Sequence, residues 1–183
     1  TVPVFCPGTP LDCFALTVHA FNWSERLRTP VVLLSDKEVA MTHEVVDDAD
    51  VPALLVESRS TESRGRYRPY AFSDLAEVPP FAPLGGGRKV TITGSAHNQD
   101  GWLRKNDPET LAVLRHLEAK VQAQAPAMAM VSADLDDDAD TVVLSYGVTS
   151  RSAREAVLRG RALGKHVSFV GVQTLFPVPV EPI

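Results

Sequence analysis

The sequence predicts an α/β fold built from parallel β–α–β units. Residues 2–36 and residues 141–175 each place an apolar run, an amphipathic pattern and a second apolar run in succession. The 183 residues are 44% hydrophobic and 22% charged, which is ordinary for a globular protein with a buried core. We therefore expect two strand-containing regions joined by a segment of different character.

The first unit is predicted from residues 2–36. Val2–Cys6 is a short apolar strand closed by the breaker sequence PGTP, in which Thr9 can cap a helix and Pro10 suits its first turn. Thr29–Asp36 is continuous and apolar, which is typical of a strand buried on both faces of a parallel sheet. The helix between them is indicated by an apolar stripe at Leu11, Phe14, Ala15, Val18, Phe21 and Leu27.

Residues 38–88 lack a regular hydrophobic pattern. They contain five prolines, the polar run SRSTESRGR and three consecutive glycines, but aromatic residues stay spaced along them at positions 67, 70, 72 and 81. A long irregular segment in a compact domain is usually functional or a linker. We interpret this stretch as an interface arm laid over another surface, with a linker as the alternative.

Regular structure is predicted again from residue 89. Lys89–Thr93 is expected to be a strand, and Asp107-Pro108-Glu109 has the cap, the proline and the acid that begin a helix. Ala127–Val131 is a weak strand candidate, and residues 134–140 are expected to form a solvated acidic turn. The helix is predicted to stop at Pro126 and to bury a stripe of Leu111, Leu114, Leu117 and Val121.

The second β–α–β unit has the clearest pattern in the chain. It consists of a strand at Thr141–Gly147, a helix at Ser152–Leu163 ended by Gly164, and a strand at His166–Leu175. Residues 176–183 contain three prolines and are expected to form no regular element.

Charge and apolar pattern exclude several classes of partner. The net charge of −5 gives no reason to expect nucleic acid or an anionic membrane as a partner, and no apolar run reaches the roughly 20 residues of a membrane span. The N-terminal residues show no secretory pattern, and the two cysteines lack the C-x-x-C spacing of a zinc or iron–sulfur site. We expect a reduced, cytoplasmic protein without a metal site.

Two stretches are candidate binding sites, although no nucleotide-binding, metalloprotease or hydrolase motif is present. In GSAHNQDG, Gly94 and Gly101 permit tight turns, and His97 and Asn98 offer hydrogen bonds to a polar ligand. The alternative is a polar surface loop.

The second stretch is a weaker anion-binding candidate. Free backbone N–H groups at a helix N-terminus, with Ser150, Arg151 and Arg154, could hold a phosphate or carboxylate. Its alternative is ordinary helix capping with solvated arginines.

Three segments resemble one family, the 2-oxoacid:ferredoxin oxidoreductase alpha chains. Residues 7–37 are similar to the end of that family's thiamine-pyrimidine-type domain, and GSAHNQDGWLRKNDPE resembles its G-x-x-H-D-E-x-G segment and the helix start that follows. TVVLSYGVTSRSAREAV and GKHVSFVGVQTLFPVPVE are similar to its next domain, which is related to the transketolase C-terminal domain. The three segments occur in the order that the family has.

The resemblance implies part of an enzyme subunit that is inactive alone. It implies an end of the pyrimidine-type domain at 1–37, an arm or linker at 38–88 and a Rossmann-like, transketolase C-terminal-like domain at 89–183, incomplete at its C-terminus. The family oxidatively decarboxylates 2-oxoacids such as 2-oxoglutarate or pyruvate, using thiamine diphosphate, iron–sulfur clusters and coenzyme A, none of which we expect this chain to bind alone. Implied partners are a beta subunit with the thiamine diphosphate and iron–sulfur sites, the rest of the alpha chain or a second copy, and ferredoxin.

The resemblance also implies roles for individual residues. His97 matches the family histidine, and Asn98 stands where the family has an aspartate near the substrate, so we expect an effect on which 2-oxoacid is accepted. No catalytic residue is predicted in this chain. The alternatives are a stand-alone, non-catalytic binding or assembly module of the same fold, or a C-terminal domain of another thiamine-dependent enzyme.

Overall fold

The structure, a computed structural model, describes residues 1–61, 65–181 and 183. Residues 62–64 of the predicted arm and Pro182 of the predicted irregular end lie outside the described residues. The chain forms two compact units. The arm unit consists of Thr1, Asn22–Pro30 and Val56–Gln124, and the sheet unit consists of Val2–Phe21, Val31–Leu55 and Ala125–Ile183.

The first sheet of the sheet unit has the strand order β2–β1–β6. Strands β1 (Val4–Phe5) and β2 (Val32–Leu33) are parallel, and β6 (Thr174–Phe176) is antiparallel to β1. Helix α1 (Pro10–Leu27) joins the parallel pair and begins where the sequence predicts, because the Thr9 hydroxyl accepts the Asp12 N–H at 3.0 Å.

The second sheet has the strand order β3–β5–β4. Strands β4 (Thr141–Ser145) and β5 (Val167–Val172) are parallel and connected by helix α5 (Thr149–Ala162), while β3 (Val131–Asp134) is antiparallel to β5. These two parallel pairs confirm the predicted α/β class. Gly164 has a φ of +78°, which is consistent with its predicted role in ending α5.

Several strand predictions are wrong. Residues 89–93, all within the described part of the chain, form no strand, because no partner strand lies beside them and Ile92 is 75% exposed. Strand β2 is not buried on both faces: it is an edge strand, and Val32 is 42% exposed. The weak candidate at 127–131 is replaced by a one-turn helix α4 (Ala125–Met128) followed by β3.

The last predicted strand is divided. Gln173 separates β5 from β6, and its N–H donates to the carbonyl of Met130 at 2.9 Å. The division is needed because β5 pairs in the second sheet and β6 pairs with β1 in the first. The segment predicted to be irregular also contains a short helix α2 (Lys37–Met41), which Asp36 caps, and a 3₁₀ turn at Asp48–Asp50.

The arm unit contains helix α3 (Pro108–Gln122), whose predicted start is confirmed. The Asp107 carboxylate accepts the Thr110 N–H at 2.8 Å. The predicted buried stripe is wrong except for Val121: its three leucines, at 111, 114 and 117, are 41–52% exposed. The buried face instead carries Thr110, Val113, His116, Lys120 and Val121.

Two polar residues explain this choice of face on α3. The His116 ring stacks on Phe72 with its Nδ1 2.8 Å from the Leu75 carbonyl oxygen, and the Lys120 ammonium donates to the Leu27 carbonyl at 2.8 Å. Specific partners therefore allow polar groups to be buried in place of the leucines. Helix α1 shows the same difference, since Phe14 and Phe21 of the predicted stripe are exposed.

Candidate functional site

The loop at residues 94–101 folds back on the residues that follow it. His97 and Leu103 form an isolated antiparallel bridge, the Asn98 N–H donates to the Trp102 carbonyl at 3.0 Å, and the Arg104 N–H donates to the Ala96 carbonyl at 3.1 Å. The loop thus has a defined conformation held by main-chain hydrogen bonds rather than by a preceding strand.

Asn98 is buried and stabilises this loop directly. Its Oδ1 accepts the N–H groups of Asp100 at 3.2 Å and Trp102 at 2.9 Å. This is the way asparagine side chains commonly support turns. An aspartate could accept the same two hydrogen bonds, so the turn itself does not require an amide.

Gly101 and Gly94, both predicted to shape the loop, differ in their surroundings. Gly101 has a φ of +82°, and an added Cβ would lie 3.0 Å from the Thr91 side chain and 3.1 Å from Tyr70. Gly94 is not among the residues of positive φ, and an added Cβ there would meet nothing within 4 Å. The conformational freedom of glycine is therefore needed at Gly101.

We expect Gly101→Ala to lower the free energy of unfolding by about 2 kcal/mol, through the left-handed backbone and the crowding against Thr91. Gly94→Ala is the matched control, with an expected change of less than about 0.5 kcal/mol. Urea denaturation followed by tryptophan fluorescence would measure both. Equal effects of the two substitutions would contradict the special role of Gly101.

His97 is held by two contacts in the arm unit. Its Nδ1 lies 2.8 Å from the Asn98 carbonyl oxygen, and its ring centroid is 4.0 Å from that of Tyr70. A carbonyl oxygen can only accept, so the neutral ring donates from Nδ1 in this arrangement and carries its lone pair on Nε2. The histidine therefore offers one hydrogen-bond acceptor in a fixed orientation.

A cavity of about 260 Å³ lies between the loop and helix α3. Gly94 and His97 line one side, and Thr110, Val113 and Leu114 line the other. The Thr110 side chain is 5% exposed, and its hydroxyl has no hydrogen-bond partner. Buried polar atoms in folded proteins nearly always have partners, so this unsatisfied hydroxyl marks the cavity as a candidate binding site.

The neighbouring helix cap does not satisfy that hydroxyl. The pKa of Asp107 is lowered, first by the hydrogen bond from the Thr110 N–H and to a smaller extent by the nearby Thr110 hydroxyl. The hydroxyl is thus close to the carboxylate without reaching the geometry of a hydrogen bond.

Residues of the predicted arm position the loop, a role that no sequence pattern indicated. Arg68 donates to Asp100 through Nε at 2.7 Å and Nη2 at 3.3 Å, and the Tyr70 N–H donates to the Gln99 carbonyl at 3.0 Å. The hydrogen bond from Arg68 is the main cause of the lowered pKa of Asp100. The positions of Arg68 and Tyr70 in the sequence gave no signal that these residues hold the loop. The position of Thr110 likewise gave no signal that it lines the cavity.

The second candidate stretch lies at the N-terminus of α5 in the sheet unit. Ser150, Arg151 and Arg154 all line one cavity of about 290 Å³. The helix N-terminus was expected to offer free backbone N–H groups. This expectation is wrong for Ser150 and Arg151, because their N–H groups donate to the carbonyls of Gly147 and Val148. Arg151 also lies 3.5 Å from Glu44, and the carboxylate Asp12 lines the same cavity. The three residues line one cavity, but the site is less cationic than its arginines alone imply.

Asp36 lines a separate cavity of about 530 Å³, at the ends of β1, β2 and β4. Its Oδ1 accepts the Val39 N–H at 2.8 Å and its Oδ2 accepts the Val148 N–H at 2.9 Å. The hydrogen bond from Val39 is the main cause of the lowered pKa of Asp36. Among the residues that the structure describes, Asp36 is the only carboxylate lining this cavity, and each of its two oxygens accepts a backbone hydrogen bond.

One group of side chains in the described part of the chain has the spacing of a metal site. Ligand atoms of Asp136, Asp138 and His166 lie within 4.8 Å of one another. The His166 Nδ1 is 3.3 Å from the Asp136 Oδ2. Exposed acidic groups often have this spacing without an ion, so we assign no metal to them.

Within residues 1–61, 65–181 and 183, no helix is long and apolar enough to cross a membrane.

Comparison with protein families and solved structures identifies relatives over almost the whole chain. Residues 1–115 match a family model described as "Pyruvate flavodoxin/ferredoxin oxidoreductase, thiamine diP-bdg". The chain is 32% identical over 180 residues to 2-oxoglutarate synthase subunit KorA of Methanothermobacter marburgensis, covering 97% of this chain and 47% of the relative. It is 29% identical to the alpha subunit of 2-oxoacid:ferredoxin oxidoreductase 2 of Aeropyrum pernix, covering 96% of this chain and 28% of the relative.

A solved structure shows the same fold. A 2-oxoglutarate:ferredoxin oxidoreductase from Magnetococcus marinus, with 2-oxoglutarate, coenzyme A and succinyl-CoA bound, matches with a TM-score of 0.81 and 25% sequence identity. The match covers 98% of this chain and 32% of that one. The chain spans about half the length of the first curated relatives it matches.

Proposed function

The chain belongs to the pyruvate flavodoxin/ferredoxin oxidoreductase family, and from that premise we propose that it is part of the alpha subunit of a 2-oxoacid:ferredoxin oxidoreductase. The assembled enzyme converts a 2-oxoacid such as 2-oxoglutarate and coenzyme A to an acyl-CoA and carbon dioxide, and the released electrons reduce ferredoxin. The observation that carries this proposal is similarity to such subunits along 94–100% of the chain.

Within that enzyme the chain supplies scaffold, interface and one active-site loop. The proposed division follows the family order: residues 1–37 end the pyrimidine-type domain, 38–88 form the interface arm, and 89–183 form the transketolase C-terminal-like domain. The parallel pairs β1–β2 and β4–β5 support two such α/β parts. We further propose that the assembled enzyme is cytoplasmic.

We propose that this chain does not bind thiamine diphosphate alone. In the cavity at the strand ends, the one carboxylate among the described lining residues, Asp36, is engaged in capping, since its two oxygens accept the N–H groups of Val39 and Val148. The two cysteines are also too few for the four thiolates of a typical iron–sulfur cluster. We therefore propose that a partner beta subunit holds thiamine diphosphate and the iron–sulfur cluster.

The candidate substrate contact is the loop that carries His97 and Asn98. Three features support it: the acceptor at His97 Nε2, the Thr110 hydroxyl without a partner, and the apolar wall formed by Val113 and Leu114. His97 borders the cavity, whereas Asn98 is not among its lining residues and supports the loop from behind. His97 is thus proposed to contact the 2-oxoacid, and Asn98 to act through charge and loop conformation.

The assembly is tested by isolating the chain from its own source under anaerobic conditions and analysing it by native mass spectrometry. We expect a complex that contains a second subunit with thiamine diphosphate and an iron–sulfur cluster, and that reduces ferredoxin with a 2-oxoacid and coenzyme A. A folded chain that travels alone and without cofactors would favour the alternative, a stand-alone assembly module of the same fold.

We expect Asn98→Asp to shift substrate preference away from 2-oxoglutarate and toward pyruvate, measured as the ratio of kcat/KM values in the assembled enzyme. Aspartate keeps both loop hydrogen bonds, but its charge repels the second carboxylate of 2-oxoglutarate, with an expected shift of about fivefold. Gln99→Glu is the control, since it adds the same charge one residue along. An equal shift in the control, or no shift in Asn98→Asp, would contradict a specific role for position 98.

A further inference from the structure

The cavity between the loop and helix α3 contains two hydrogen-bonding groups of opposite kind. These are the Thr110 hydroxyl and the Nε2 atom of His97, and the apolar side chains of Val113, Leu114 and Leu117 complete the lining. We propose that Thr110 and His97 select a 2-oxoacid whose side chain ends in a neutral hydroxyl group. The inference rests on the proposed function and names the class of substrate that this site prefers.

The Thr110 hydroxyl is left without a partner by the fold. Thr110 is 5% exposed and its hydroxyl makes no hydrogen bond, although its own N–H donates to the Asp107 carboxylate at 2.8 Å. A buried polar atom without a partner is destabilising, because it has lost its hydrogen bonds to water. A ligand oxygen that supplies the missing hydrogen bond therefore gains affinity at this position.

His97 has the complementary role, because its ring is held in one orientation. Its Nδ1 lies 2.8 Å from the Asn98 carbonyl oxygen, which can only accept, so the neutral ring donates from Nδ1 and keeps a lone pair on Nε2. A substrate hydroxyl can accept from Thr110 and donate to His97 at the same time. A methyl group satisfies neither residue, and a carboxylate has no hydrogen to donate to His97.

The charges around the cavity also disfavour a carboxylate at the end of the side chain. Among the described residues that line the cavity, none carries an ammonium, guanidinium or carboxylate group. The nearest known charge is that of Asp107, whose pKa is lowered first by the hydrogen bond from the Thr110 N–H, so this carboxylate is ionised at neutral pH. A second carboxylate close to Asp107 would be repelled and would lack a cation, whereas a neutral hydroxyl avoids both costs.

The test is a titration of the full chain, followed by ligand-detected NMR, with 2-oxobutanoate, 4-hydroxy-2-oxobutanoate and oxaloacetate. These acids all have four carbons and end in a methyl, a hydroxyl and a carboxylate group. We expect the hydroxyl compound to bind about tenfold more tightly than the methyl compound, through the two added hydrogen bonds, and oxaloacetate to bind most weakly. The values of kcat/KM in the assembled enzyme should follow the same order.

Thr110→Val identifies the hydroxyl that makes the selection, because valine keeps the shape of the side chain. The preference for the hydroxyl compound over 2-oxobutanoate should fall from about tenfold to about threefold, with little change for 2-oxobutanoate itself. The thermal unfolding midpoint should not fall, since the substitution removes a buried hydroxyl that has no partner. Thr141→Val is the control: Thr141 is exposed and does not line the cavity, so the ratio should stay unchanged.

Three results would overturn the inference: equal binding of the hydroxyl and methyl compounds, tightest binding of oxaloacetate, or an unchanged ratio in Thr110→Val. A lower unfolding midpoint for Thr110→Val with an unchanged ratio would show that the hydroxyl supports the start of α3 instead. Failure of the proposed function is seen separately, as a chain that isolates without a partner subunit. The binding ratio is measured on the chain itself and does not require turnover.

Discussion

Replacement of Arg28 by alanine is expected to lower the free energy of unfolding of the arm unit by about 3 kcal/mol, because a half-buried guanidinium with several partners is lost. Its Nη1 donates to the carbonyls of Pro69 and Pro80, the latter at 3.2 Å. The same group lies 5.4 Å from the Tyr70 ring centroid and 5.0 Å from that of Phe81. It therefore connects the end of α1 to two points of the irregular arm.

Arg28 has a backbone conformation that favours glycine, so the arginine at this position is explained by the contacts of its side chain. Its φ is +49°, directly after α1, where the Thr29 N–H reaches back to the Ser24 carbonyl at 3.3 Å. Glycine is the usual residue at such a helix end. Arg28→Gly should therefore recover about 1 kcal/mol relative to Arg28→Ala, by removing the backbone strain without restoring the guanidinium.

Urea denaturation followed by tryptophan fluorescence measures these changes, since Trp23 and Trp102 both lie in the arm unit. Arg59→Ala is the control: Arg59 also lies over Phe81, but it is 54% exposed and its ion pair with Glu25 is at the surface. The control should cost less than about 1 kcal/mol. Equal losses for Arg28→Ala and Arg59→Ala would show that the Arg28 guanidinium does not hold the arm.

The second large effect is a pH dependence of stability that arises from Lys120. This side chain is 3% exposed, and its ammonium donates to the carbonyls of Leu27 at 2.8 Å and Arg28 at 3.3 Å. Burial, followed by the positive charge of Arg28, lowers the pKa of Lys120 from 10.5 to about 8. Between these two values the unfolded chain binds more protons than the folded chain, so the contribution of Lys120 to stability rises with pH.

We expect the stability of the native protein, relative to Lys120→Met, to increase by about 2 kcal/mol between pH 7 and pH 9.5. The raised pKa values of the Cys6 and Cys13 thiols act in the opposite direction, but they are common to both proteins and cancel in the difference. Denaturation at several pH values provides the measurement. Lys105→Met, at an exposed lysine, should show no such change, and a flat difference for Lys120→Met would rule out a buried ammonium at the end of α1.

Helix starts and the parallel units could be predicted from the sequence because their causes are local. Asp107 caps α3 by bonding to the Thr110 N–H, and Thr9 caps α1 by bonding to the Asp12 N–H. Both contacts join residues three positions apart, so they are visible in the sequence itself. The resemblance that indicated the family also depends on short continuous segments, and it was confirmed by the family match over residues 1–115.

The candidate site was only partly predictable. His97, Asn98 and Gly101 stand together in one loop, and their residue types indicated turns and hydrogen bonding. The residues that complete the surroundings of the loop come from distant positions: the Tyr70 ring contacts the His97 ring, and Arg68 binds Asp100. No periodicity or motif connects such positions, because the contacts exist only after the arm has folded onto the loop.

The sequence by itself determined the α/β class, the starts of α1 and α3 and the family, since capping groups and apolar runs act over a few residues. The predicted stop of α3 at Pro126 is wrong, because α3 ends at Gln122 and Pro126 lies in α4. The tertiary structure decided which face of each helix is buried and which apolar segments become strands. Helix α3 turns His116 and Lys120 inward and its leucines outward, because a stacked ring and helix-end carbonyls satisfy those polar groups. Lys89–Thr93 has the composition of a strand but lacks a partner among the described residues, and a strand requires one for its hydrogen bonds.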